Sequence, residues 1–197
     1  MKKRQSTHKI NRKLFLMADT QMGYFTAKQA VKAGIPDSNH GYYVNAGQWK
    51  KEMRGIYRLT NYPISDQEEL MIWYLWSQGR DGTPNGTLSH ETALDLYELS
   101  DINPSRIHLT VPKKFRRFNA IPKIIALHKG EIQKEDIKLF LGMKITTPLK
   151  TLTDIISEGK LSLDLIRQAV NQAHTRGLIT QKQLNNNPKM KKYLRLK

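Results

Sequence analysis

The chain has 197 residues, no cysteine, and 33 Lys and Arg against 17 Asp and Glu, a net charge of +16. The missing cysteine excludes disulfides and thiolate zinc sites and suits a cytoplasmic protein, while three Trp, eight Tyr and five Phe supply a core and exclude a disordered basic chain. No apolar run approaches the ~20 residues that span a bilayer, and no apolar stretch follows the basic start Met1-Lys-Lys-Arg4, so neither a membrane span nor a signal peptide is expected.

The length allows two small domains or one large one, and the charge favours a polyanionic partner, nucleic acid ahead of an anionic membrane surface. It is unevenly spread. Residues 1–60 carry twelve basic and three acidic side chains, 61–130 carry eight of each, and 131–197 carry thirteen and six. A neutral middle between basic ends predicts more than one anion-facing surface.

The first predicted helix covers Lys9 to Asp19, with Ile10, Leu14, Phe15, Met17 and Ala18 on its apolar face, and Gly23 stops it. Thr26-x-x-Gln29 is a capping box that opens a second helix, which Gly34 and Pro36 end. Asp37 is expected to cap a third helix reaching Gly47. Its Ser38, Asn39, His40, Tyr42, Tyr43 and Asn45 are hydrogen-bonding and stacking groups suited to base edges and phosphates. Tyr42, Tyr43 and Val44 are expected to share that work with core packing. Gln48 to Leu59 predicts two short strands around Gly55, with Lys50, Lys51 and Arg54 before the turn and Arg58 after it. Cations flanking a turn glycine suit phosphate or minor-groove contact.

Together these elements predict a winged helix-turn-helix domain over residues 1–62. Its expected DNA-binding residues are Ser38, Asn39, Tyr42 and Tyr43 for the groove, and Lys50, Lys51, Arg54 and Arg58 for phosphates.

Residues 61–65 read as a linker, and Ser65 with Glu68 as a capping box for a helix through about Ser77 that is apolar nearly all round. Residues 79–86 are a loop by composition. A short strand at Thr87 leads into a helix starting at Ser89 or His90. Further strands are expected at 107–111 and 124–128, with a hairpin over 137–145 turning near Gly142. Lys113, Lys114, Arg116 and Arg117 form a secondary basic site between the first two of these strands. Thr147-Pro148 opens a helix to about Ser157, and Ser162 to Arg176 is amphipathic through Leu163, Ile166, Ala169, Val170 and Ala173. Thr180 caps a short final helix, Asn185 to Pro188 breaks it, and 189–197 is a basic tail. The expected class is α+β: the winged helix-turn-helix, then a C-terminal mixed α/β domain over 63–197 with a small sheet and C-terminal helices.

An enzyme is the weaker reading. His90, Glu91, His108 and His128 are metal-ligand types, but they lack local ligand spacing, and Ser-His-Glu-Thr is also good capping chemistry. Asp95, Glu98 and Asp101 look like a solvated helix face. No phosphate-binding loop, dinucleotide fingerprint or nucleophile elbow is present. No catalytic residue, metal or cofactor is therefore expected.

Three segments in order resemble the AbiEi antitoxins of bacterial type IV toxin–antitoxin, abortive-infection systems. They are Arg54-Gly-Ile-Tyr-Arg-Leu59; Leu88-Ser-His-Glu-Thr-Ala-Leu94 with Leu99-Ser-Asp101, Pro104 and Ile107-His-Leu-Thr-Val-Pro112; and Ile145-Thr-Thr-Pro-Leu-Lys-Thr-Leu-Thr-Asp154. The resemblance covers nearly the full length. Lys150 departs from it, standing where the family pattern has Arg, which keeps the charge and loses a bidentate contact. The resemblance implies an autorepressor that binds inverted repeats in double-stranded promoter DNA. It also implies an antitoxin that counters a nucleotidyltransferase-like toxin without a stable complex. No heptad seam argues for a preformed dimer, so monomers binding DNA cooperatively are the expected form. The alternatives from other classes are a nucleic-acid-processing enzyme with a nuclease-like C-terminal domain, and an RNA-binding module.

Overall fold

A computed structural model describes residues 2–117 and 120–193, with side chains from residue 11 onward. The chain divides into two compact units, one of residues 1–85 with 140–143, the other of residues 86–139 with 144–197. The class is α+β, as expected.

In the first unit, helix α1 (Lys2–Asp19) precedes strand β1 (Tyr24–Thr26) and helix α2 (Ala27–Ala33), whose Thr26–Gln29 capping box is formed in both directions. Gly34 then takes φ 105, the left-handed turn that lets its N–H reach the last carbonyls of α2. A single 3-10 turn, Asp37–Asn39, leads into α3 (His40–Asn45). Strands β2 (Trp49–Met53) and β3 (Ile56–Leu59) form the wing. Its two-residue turn is Arg54-Gly55, with Gly55 at φ 75. The three strands order β1-β3-β2 and are antiparallel. This helix–strand–helix–helix–wing succession is the winged-helix arrangement. Its core gathers Leu14, Ala18, Phe25, Ala30, Ile35 and Trp49.

Two predicted caps are absent. Asp37 makes no side-chain cap; its carboxylate turns to the His40 ring at 3.3 Å instead. Helix α4 (Glu68–Trp76) starts without a capping box, because the Ser65 hydroxyl accepts from the nearer Gln67 N–H at 3.3 Å. The division at 62–63 expected from the linker also moves, to 85–86. The physical reason is that α4 belongs to the first core: Met71 and Leu75 are fully buried, and Glu68 pairs with Arg58 at 3.1 Å.

The second unit is built on a five-stranded sheet ordered β6-β5-β4-β8-β7. Its elements run β4 (Thr87–Leu88), α5 (His90–Leu96), β5 (Ile107–Val111), β6 (Ile125–Lys129), β7 (Ile137–Phe140), β8 (Met143–Thr146) and α6 (Pro148–Glu158). Strands β5 and β6 are parallel, with His108 opposite Ala126 and Thr110 opposite His128. Alternation therefore puts His108, Thr110 and His128 on one face of the sheet. Helices α7 (Leu163–Thr175), α8 (Gln181–Asn185) and α9 (Pro188–Lys191) follow. Ile166, Ala169, Val170 and Ala173 of α7 pack with Leu94, Leu152 and Ile155, while Leu163 is left exposed. The predicted basic tail is in part a further helix: Asn187 caps α9, and Met190 and Tyr193 are buried. Its last four residues, 194–197, lie outside the described residues. Among the described residues no helix is long and apolar enough to cross a membrane.

Candidate nucleic-acid interface and histidine cavity

The residues expected at the DNA groove divide by exposure. Ser38, Asn39 and Tyr42 are exposed, Tyr42 at 68% with its ring edge-on to Tyr43 at 5.6 Å. Tyr43 is half-buried and stacks on Trp49 at 4.6 Å with the planes 13° apart, so it serves chiefly to seat the helix. His40 belongs to the interior, not to the polar face. Its Nε2 lies 3.1 Å from the Ile35 carbonyl, and its ring packs against Trp49 and Tyr57.

On the wing, Lys50, Lys51 and Arg54 are exposed. Lys50 shares its charge with Glu52 at 3.1 Å. Arg58 is not available to a phosphate. It is 7% exposed, donates to the carbonyls of Tyr62 at 2.7 Å and Pro63 at 3.1 Å, pairs with Glu68, and lies over the Tyr24 ring. The period-2 alternation of β3 puts Ile56 and Arg58 on the buried side of the strand. Burial and the Glu68 carboxylate push the Tyr24 phenol well up, as expected for a hydroxyl enclosed beside a paired carboxylate. The secondary basic site is a single exposed loop in the second unit, with Lys113, Lys114, Arg116 and Arg117 outward around an inward Phe115.

The second unit holds a cluster that spacing did not reveal. His90 and His128 stack at 3.6 Å with planes 8° apart. His108 Nδ1 lies 3.0 Å from His128 Nε2, and His108 Nε2 lies 3.7 Å from Glu91 Oε2. His128 Nδ1 faces Glu158 Oε1 at 3.9 Å. Ser89 heads α5 without capping it. Its hydroxyl instead meets His90 Nδ1 at 3.0 Å and Thr110 Oγ1 at 2.7 Å. His90 itself takes φ 50, a left-handed conformation that costs an L-residue roughly 1–2 kcal/mol.

His90 and His128 border a cavity of about 370 Å³ that also reaches Thr110, Gly130, Lys150, Asp154, Ser157 and Glu158, with His108 behind them. Burial, reinforced by the neighbouring His128, pushes His90 and His108 down to about 4, and burial also lowers His128. Burial alone would raise Glu158, but the Lys160 ammonium and the nearby imidazoles outweigh it and hold that carboxyl below its ordinary range. Lys150 pairs with Asp154 one helical turn on, at the cavity wall.

Of the residues weighed as metal ligands in the sequence, His90, His108, His128 and Glu91 do converge. Sequence reasoning missed Glu158, at the end of α6, and the Ser89–Thr110 pair. The available signal was the alternation of His108 and Thr110 against Ile107, Leu109 and Val111. The parallel register that fixes which face His128 shares was not legible.

The sequence matches no protein-family profile and no curated protein. The fold is similar to the crystal structure of the RV2827C protein from Mycobacterium tuberculosis, with a TM-score of 0.50 and 15% identity over 90% of this chain and 70% of that one.

Proposed function

We propose that this protein is a DNA-binding transcriptional autorepressor that also acts as the antitoxin of a bacterial type IV toxin–antitoxin, abortive-infection system. The observation that carries the DNA-binding half is the exposed surface of the winged helix-turn-helix. Ser38, Asn39 and Tyr42 lead off and line the helix that enters the groove in this arrangement, and Lys50, Lys51 and Arg54 extend along the wing. Hydrogen-bonding side chains read base edges, and cations on a projecting hairpin neutralise phosphates. Arg58 leaves the set and becomes part of the scaffold.

The antitoxin half rests on the resemblance of the segments 88–112 and 145–154 to AbiEi antitoxins. In this reading the chain is cytoplasmic, acts by binding and not by turnover, and two monomers occupy the inverted repeats of the promoter cooperatively. The opposing toxin is nucleotidyltransferase-like and forms no stable complex with it.

The test is binding of the full chain to its own upstream promoter duplex and to a scrambled duplex across a salt series. A tight, specific complex that is lost when Asn39 and Tyr42 are both replaced by alanine supports the repressor reading. Equal and steeply salt-dependent binding to both duplexes refutes it. For the antitoxin half, co-expression with the adjacent toxin gene must restore growth.

A further inference from the structure

Four ligand-type side chains of the second unit lie in line. Glu91 Oε2 stands 3.7 Å from His108 Nε2, His108 Nδ1 and His128 Nε2 share a hydrogen bond at 3.0 Å, and His128 Nδ1 faces Glu158 Oε1 at 3.9 Å, beyond hydrogen-bond distance. That last gap is the longest of the three, and the His90 ring stacks on His128 beside it. With His90 Nδ1 engaged by Ser89, its Nε2 is the ring nitrogen left over.

We propose that the second unit binds one divalent transition-metal ion of the zinc class through His90, His128 and Glu158. Among the described residues these three offer donor atoms that all lie within 4.8 Å of one another. Two imidazoles and one carboxylate are the ligand set of a borderline ion, not of magnesium or calcium. Each imidazole is oriented from behind: His90 by Ser89 and Thr110, His128 by His108 and Glu91. This carboxylate- or hydroxyl-backed histidine is the usual support of a metal ligand. His90 takes φ 50 at the start of α5 and its ring borders the cavity, and such backbone strain recurs at ligand-binding sites.

Bonds of about 2.0–2.1 Å would bring donors to roughly 3.4 Å apart, so binding tilts the stacked His90 ring toward the gap. It also displaces the Lys160 ammonium, an exposed group that holds Glu158 in the absence of the ion. Three protein ligands leave one coordination position open, facing the 370 Å³ cavity.

The site is independent of the DNA-binding reading, and so is its test. The full chain is stripped with EDTA and titrated with Co2+, then with Zn2+. One Co2+ per chain is expected, giving visible d–d absorption that Zn2+ abolishes, and Zn2+ is expected to raise the Tm. His128→Gln and Glu158→Gln should each abolish the absorption and the Tm shift, while His174→Ala keeps both. Glu91→Gln should weaken affinity by about 10–100-fold. Circular dichroism identifies a variant that does not fold, and Glu158→Gln, at a helix end, decides the matter if His128→Gln fails. Unchanged binding in Glu158→Gln overturns the proposal. So does the absence of stoichiometric binding in the parent chain.

Discussion

Arg58 and Arg54 stand four residues apart on one hairpin, and the structure gives them opposite surroundings, one buried and the other exposed. Replacing Arg58 with alanine removes a guanidinium whose side chain is 8% exposed and leaves Glu68, at 29%, without its ion partner. It also strands the carbonyls of Tyr62 and Pro63. Breaking a buried pair from one side costs about 3–5 kcal/mol. Water can reach Glu68, so the low end, about 3 kcal/mol, applies. For a unit of this size 1 kcal/mol moves Tm by roughly 4–8 °C, so a fall of roughly 12–24 °C is expected for the first unit by calorimetry. Arg54→Ala removes an exposed side chain at the wing turn, and its Tm should stay within about 4 °C of the parent, since surface changes fall within about 0.5 kcal/mol. In promoter binding the ranking reverses. At a temperature where both variants are folded, Arg54→Ala should lower the slope of log K against log salt by about 0.9, and Arg58→Ala should leave the slope unchanged. The reasoning fails if Arg58→Ala keeps the parent Tm and loses a unit of salt slope, because Arg58 would then be a phosphate ligand and the ion pair with Glu68 energetically idle.

Other outcomes follow from the same geometry. Asn39→Ala should cost about 1–3 kcal/mol of binding and relax preference at one base pair; an equal loss on scrambled DNA would make Asn39 a backbone contact. Leu94→Ala, at a fully buried position, should lower the urea midpoint of the second unit by an amount equivalent to about 2–5 kcal/mol, without changing promoter affinity at low denaturant. In EDTA, stability should depend on pH through the histidine cluster. The folded values of His90 and His108, about 4, lie below the ordinary 6.5, so the unfolded chain binds more protons in between. Their neutral burial is fully accommodated above pH 6.5, and stability is lost as pH falls toward 4. A Tm that is flat over that window, or that rises on acidification, contradicts the burial of these rings.

Local chemistry made much of the fold legible in the sequence. The capping box at Thr26–Gln29 is formed and Thr180 caps its helix as expected, and Gly55 turns the wing. The helix expected from Ser162 buries Ile166, Ala169, Val170 and Ala173. These features depend on residues within one or two turns of each other, so spacing and residue type suffice. The tertiary structure decided what depends on distant partners. Arg58 reads as a wing cation until α4 brings Glu68 against it. Asp37 reads as a cap until His40 turns inward to meet it. His90, His108, His128 and Glu158 are separated by 18, 20 and 30 positions in the chain, and only the parallel pairing of β5 with β6 and the return of α6 bring them together. A one-residue slip in that pairing would send His128 to the opposite face, which is why the cavity belongs to the register of the sheet.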